Sequence, residues 1–153
     1  MKFAEITTGK RILLGPVTVD AEEIIDFAKR YDNQWFHTDP QQADAGPWNG
    51  LIASGWHTCS LAMKLVSNGV LADSESYASP GLQYLKWPNP VRPGDALTLE
   101  LQVKESRVSS AKPWLGIVRW QWVMRNQHGV DVLDLEATSM FKIAEAESGP
   151  EAA

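Results

Sequence analysis

The residues best suited to chemistry fall in two stretches, YDNQWFHTDP from Tyr31 and GLIASGWHT from Gly50. Asp32 and His37 lie five positions apart and flank the aromatic pair Trp35 and Phe36. On one continuous helix they would sit on different faces, because neighbours on a face are three or four residues apart. For both to meet one substrate, the chain must leave the helix between them. An aspartate beside a histidine can jointly hold and deprotonate a water, the carboxylate orienting the imidazole or sharing the water with it. Taken alone, Asp32 reads first as the turn residue closing a helix, and His37 as a helix-flanking residue. His57 reads as a satisfied core or interface histidine, Cys59 as a small core residue, and His128 as part of a turn. Three scattered histidines and one cysteine make no metal set.

Elements must hold these residues in place. Asp20, with Glu23 three residues on, resembles a capping box, and Ile24, Phe27, Ala28 and Tyr31 form one stripe, which predicts an amphipathic helix from Ala21 to about Tyr31. Pro40 opens a further helical turn that Gly46-Pro47 closes. The stretch from Asn49 to Asn68 is apolar almost all the way round, with Leu51, Ile52, Trp56, Leu61, Met63, Leu65 and Val66, and reads as one buried helix. Its polar interruptions make it unsuited to spanning a membrane. Two short strands are expected within residues 3–19, and residues 69–80 read as loop. A strand near Leu82 to Trp87 runs into the rigid turn of PNPVRPGD. Leu97, Leu99, Leu101 and Val103 then alternate with polar residues, as do Val118, Trp120, Trp122 and Met124, and a last long strand spans roughly Val130 to Ile143. Long antiparallel strands after one buried helix predict an α+β fold, best matched by a single hotdog domain over 1–143, a curved antiparallel sheet wrapped around a long central helix. Residues 144–153 read as a flexible tail.

The run from Asp32 to Pro40, followed by Gly50-Leu-Ile-Ala-Ser-Gly55-Trp, resembles the MaoC-like dehydratases, hotdog-fold relatives of the (R)-specific enoyl-CoA hydratases. The likeness is strong over about Tyr31 to Leu65 and looser over the VRPGD turn and beyond. It implies a carbon–oxygen lyase, a hydratase/dehydratase interconverting trans-2-enoyl-CoA and 3-hydroxyacyl-CoA in fatty acid metabolism. Asp32 and His37 would act on the water, and the Gly55 backbone N–H would hold the thioester oxygen as enolate charge develops. Trp35, Trp56 and Arg92 are the further substrate-contacting candidates. No metal and no cofactor is implied beyond the coenzyme A of the substrate. Gln34-Trp35 stands where the hydratases carry Asn-Pro. Met63 stands where they carry a serine against the aspartate, which leaves that support to Ser60 or another group.

Two rivals follow from the same fold. A hotdog acyl-CoA thioesterase resembles its relatives in placing a carboxylate on the central helix, and Asn49 to Ala72 contains none. A non-catalytic acyl-CoA-binding subunit predicts thioester binding without turnover. The net charge of −5, with no basic cluster, argues against nucleic acid and anionic membrane as partners. One cysteine and no signal-like leader make the cytoplasm the expected address. An open sheet edge calls for pairing, and the family habit implies a homodimer or higher homo-oligomer.

Overall fold

The computed structural model describes residues 1–144, so the tail expected from 144 lies, save its first residue, outside the described residues. The elements are β1 (Arg11–Thr18), α1 (Ala21–Tyr31), α2 (Trp35–Thr38), α3 (Pro40–Ala45), α4 (Gly55–Val66), β2 (Ser76–Lys86), β3 (Ala96–Val108), β4 (Leu115–Arg125) and β5 (Asp131–Lys142). The five strands make one antiparallel sheet in the order β1-β3-β4-β5-β2. This is the hotdog arrangement, with α4 laid along the sheet.

The core forms where the alternating strands meet α4. Leu97, Leu99, Leu101 and Val103 of β3, Val118, Trp120 and Trp122 of β4, and Leu133 and Leu135 of β5 are buried with Leu61, Ala62 and Val66. Trp120 is wholly buried, yet its indole N–H donates to Ser139 Oγ at 3.1 Å, so the large ring enters the core without an orphaned donor. The outer face of the sheet is held by ion pairs such as Arg11–Glu100 and Arg119–Glu136. These exposed pairs contribute little to stability individually.

Three sequence expectations are corrected. Phe3–Glu5 is a single 3₁₀ turn and not a strand, leaving β1 as the one strand before α1. The strand read near Leu82 begins earlier, at Ser76, because pairing with β5 extends it through residues with no apolar alternation of their own. The central helix begins at Gly55 and not at Asn49. Asn49 (φ 56°) and Gly50 (φ 132°) leave helical backbone geometry, and the segment after them is tied to distant chain. The Ile52 N–H donates to Phe36 O at 3.1 Å and the Ala53 N–H to Val91 O at 2.9 Å. Backbone groups committed elsewhere cannot close an i to i−4 ladder.

Candidate active site

α1 is set by its ends. The Asp20 carboxylate accepts the Glu23 N–H at 2.9 Å, and Lys29 and Arg30 sit in the last turn, where the helix dipole favours cations. The chain leaves the helix at Asp32 (φ −156°, ψ 66°), and Gln34 (φ −116°, ψ 145°) is extended before α2 restarts it. That break is what the spacing required. It turns the Asp32 and His37 side chains toward each other, with His37 Nε2 at 3.3 Å from Asp32 Oδ2. The His37 ring is 7 % exposed and the Asp32 side chain 17 %.

His37 is oriented from behind. Its Nδ1 lies 2.7 Å from Ile52 O. A carbonyl can only accept, so Nδ1 carries the hydrogen, and in the neutral ring Nε2 presents a lone pair toward Asp32. Asp32 is held from two sides: Ser54 Oγ donates to Oδ2 at 2.7 Å, and Gln34 Nε2 donates to Oδ1 at 2.6 Å. Burial pushes the Asp32 carboxyl up. The hydrogen bonds from Ser54 and Gln34, aided by the His37 ring, outweigh it and hold the pKa below its ordinary value. With the ring neutral, the pair presents two acceptors, a carboxylate oxygen and an imidazole nitrogen, to one small hydroxylic donor.

Ser54 also caps α4. Its buried hydroxyl accepts the Trp56 N–H at 3.3 Å while donating to Asp32. Gly55 is the first residue of α4, and among the described residues its N–H meets no acceptor. The Trp87 indole lies flat on it: a Cβ at Gly55 would fall 2.3 Å from Trp87 Cε2. His37 and Gly55 both line one cavity of about 370 Å³, walled also by Trp48, Ile52, Thr58, Trp87, Pro90 and Val91. A second, larger cavity of about 550 Å³ lies on the far side of Trp56, between α4 and strands β2 and β5.

The other sequence candidates fall elsewhere. Trp35 packs edge-on to Phe36 at 5.3 Å and against Gly46, and does not line the His37 cavity. Trp56 lines the second cavity. Arg92 donates from its guanidinium to Trp48 O at 2.6 Å, and its N–H donates to Asp95 Oδ2 at 2.9 Å, so it braces the loop before α4. His57 is buried, stacks on Phe27 (4.6 Å between ring centres, 8° between planes) and meets Glu23 at 3.2 Å, tying α1 to α4. Its Nδ1 finds no hydrogen-bond partner among the described residues. Burial pushes the Cys59 thiol up, away from a reactive thiolate. Met63 is half-exposed, and Ser60 Oγ donates to Trp56 O, so neither supports Asp32. Sequence reasoning missed Ser54 and Gln34 in that role. A serine just before a helix-starting glycine, and a glutamine two residues past an aspartate in a turn, were the available signals.

A single hotdog sheet, an adjacent Asp32–His37 pair, and a cavity lined by His37 and the first residue of α4 fit a protein of the hydratase and dehydratase class. The description "MaoC like domain" matches residues 3–118, and the chain belongs to that family. A MaoC-like dehydratase structure from Rhodospirillum rubrum superposes with a TM-score of 0.85 at 33 % identity, covering 94 % of this chain and 97 % of that one. The uncharacterized protein YdeM of Bacillus subtilis is 29 % identical over 143 residues, 93 % of this chain and 99 % of YdeM. The 3-hydroxyacyl-thioester dehydratase Z of Mycobacterium tuberculosis is 36 % identical over 80 residues, about half of each chain (51 % and 53 %). Among the described residues no helix is long and apolar enough to cross a membrane.

Proposed function

We propose that the protein interconverts trans-2-enoyl-CoA and (R)-3-hydroxyacyl-CoA. The observation carrying this reading is the 3.3 Å approach of Asp32 Oδ2 to His37 Nε2, with His37 and Gly55 lining one cavity. A water spanning the two acceptors gives each one hydrogen, and its oxygen lone pairs are left to face the substrate. As that oxygen adds to C3, one water proton passes to the dyad and a proton from the dyad reaches C2. The C2=C3 double bond is consumed, one C–O and one C–H bond form, and the dyad ends as it began. Negative charge that collects on the thioester oxygen meets the Gly55 N–H, and a donor so placed is worth roughly 10²–10³ in rate. Dehydration runs through the same groups in reverse.

The absence of a carboxylate between Asn49 and Ala72 weighs against the thioesterase reading. Likeness to a 3-hydroxyacyl-thioester dehydratase supports the lyase reading. A homodimer through β2 belongs to the same proposal. Among the described residues that strand is an unpaired edge, exposed over most of its length, and Tyr77 and Leu82 stand out from it.

The test is hydration of a panel of trans-2-enoyl-CoAs by wild type, Asp32→Asn and His37→Gln, with chiral analysis of the product. Loss of 10²–10⁴-fold in either variant, roughly the span of general acid–base catalysis, is expected. A wild type inert on every member of the panel overturns the reading, and so does a variant of full activity.

A further inference from the structure

Among the described residues, the hydroxyl of Thr58 lacks the partner that its place on α4 would ordinarily supply. A threonine inside a helix commonly turns its hydroxyl back onto the carbonyl four residues earlier. Ser60, on the same helix, makes that bond well, its Oγ donating to Trp56 O at 2.8 Å. Thr58 Oγ1 stands 3.5 Å from Ser54 O, beyond the range of a sound hydroxyl hydrogen bond. That carbonyl is also occupied, since it accepts the His57 N–H at 3.0 Å and the Thr58 N–H at 3.1 Å. Thr58 is 2 % exposed, so bulk water does not make up the deficit. A buried hydroxyl is costly until something hydrogen-bonds to it. Thr58 lines the 370 Å³ cavity together with His37 and Gly55, where much of the remaining wall is apolar, with Ile52, Ala53, Val91 and Val132.

Distance ties this hydroxyl to the Gly55 N–H. Ser54 O and the Gly55 nitrogen belong to one peptide unit, whose bond lengths set them about 2.3 Å apart. Thr58 Oγ1, 3.5 Å from that oxygen, therefore lies no more than about 5.8 Å from the Gly55 nitrogen. One oxygen atom placed between the two donors can accept from both at about 2.9 Å. We infer that Thr58 is a catalytic residue whose hydroxyl donates, beside the Gly55 N–H, to the thioester oxygen as that oxygen gains charge. This rests on the reading that an enoyl thioester reacts at His37 and Gly55. The hydroxyl gives up no good bond when it turns to the substrate, so nothing in the free enzyme opposes the new one. In an apolar wall such a donor acts with little competition from water.

The experiment compares wild type with Thr58→Val, which keeps the shape and loses the hydroxyl, and Thr58→Ser, which keeps the hydroxyl. On the best substrate of the enoyl-CoA panel, Thr58→Val is expected to lose roughly 10²–10³-fold in kcat, the span for one donor to a developing oxyanion, with KM little changed. Thr58→Ser is expected to restore most of that loss. Acetoacetyl-CoA gives a readout without turnover. The fraction bound as its enolate, followed by ultraviolet absorbance, should fall at least tenfold in Thr58→Val and hold in Thr58→Ser. A hydroxyl that only braced the helix would move Tm and leave both readouts alone, and Thr58→Ala carries the comparison where Thr58→Val does not fold. An active enzyme whose hydroxyl-free variant keeps kcat within fivefold of wild type overturns the donor role and leaves the hydratase reading standing. A wild type that turns over none of the panel sinks the hydratase reading and the donor role with it.

Discussion

Replacing Ser54 separates two jobs done by one hydroxyl. In Ser54→Ala the Asp32 carboxylate loses a 2.7 Å donor and α4 loses its cap. A hydrogen bond to a charged group contributes about 1.5–3 kcal/mol, and with Asp32 still 17 % exposed the lower end applies. The cap contributes about 1 kcal/mol. Together they predict a loss of about 2.5 kcal/mol near neutral pH, which for a domain of this size lowers Tm by roughly 5–10 °C. Ser54→Gly keeps most of the cap, since glycine costs only a few tenths of a kcal/mol there, and so isolates the carboxylate bond at about 1.5 kcal/mol. Asp32 is held below its ordinary pKa in the fold, so its contribution is present above the unfolded value and vanishes as pH falls through the folded one. The stability gap between wild type and Ser54→Gly should therefore close as pH drops below about 4. In activity, a carboxylate deprived of Ser54 protonates at higher pH, so the acid limb of the kcat/KM profile moves upward. Denaturant titrations across pH, with pH profiles of enoyl-CoA hydration, measure both effects. An acid limb in Ser54→Gly that overlays wild type, with a pH-independent stability gap, refutes the reasoning.

Gln34→Ala removes the 2.6 Å donor to Asp32 Oδ1 and is expected to move the acid limb in the same direction as Ser54→Gly, read by the same profile. Gly55→Ala drives a methyl into the Trp87 indole and should cost about 1–3 kcal/mol in overpacking, measured by denaturant titration. His57→Ala loses the stack on Phe27 and the Glu23 contact, and should cost about 2–4 kcal/mol by opening space between α1 and α4, measured as a fall in Tm. Leu82→Lys places a charge on the β2 edge and should shift the protein toward monomer in light scattering after gel filtration.

The parts of the fold legible in the sequence are those whose reasons are local. Asp20 and Glu23 mark the start of α1, and the alternation from Leu97 to Val103 marks β3, because capping and strand burial act over a few residues. The start of α4 was not legible. An apolar run from Leu51 looks helical until Phe36 and Val91, far away in sequence, claim its backbone. The same distance hid Ser54, whose partner Asp32 lies 22 residues back. The tertiary chain, and not the spacing, decides which hydroxyl reaches the carboxylate. Tyr31, read as part of the apolar stripe of α1, is 66 % exposed, while Phe27 of the same stripe stacks on His57 of α4.

The tautomer of His37 is dictated by the carbonyl of Ile52, a main-chain atom that every amino acid possesses. Exchanging the side chain at 52 leaves that instruction intact so long as the chain path survives. The proton on the imidazole is thus assigned by the course of the backbone, and alanine scanning is blind to it. Divergent relatives can therefore redraw the lining of this cavity while the ring keeps its basic nitrogen turned toward the acid.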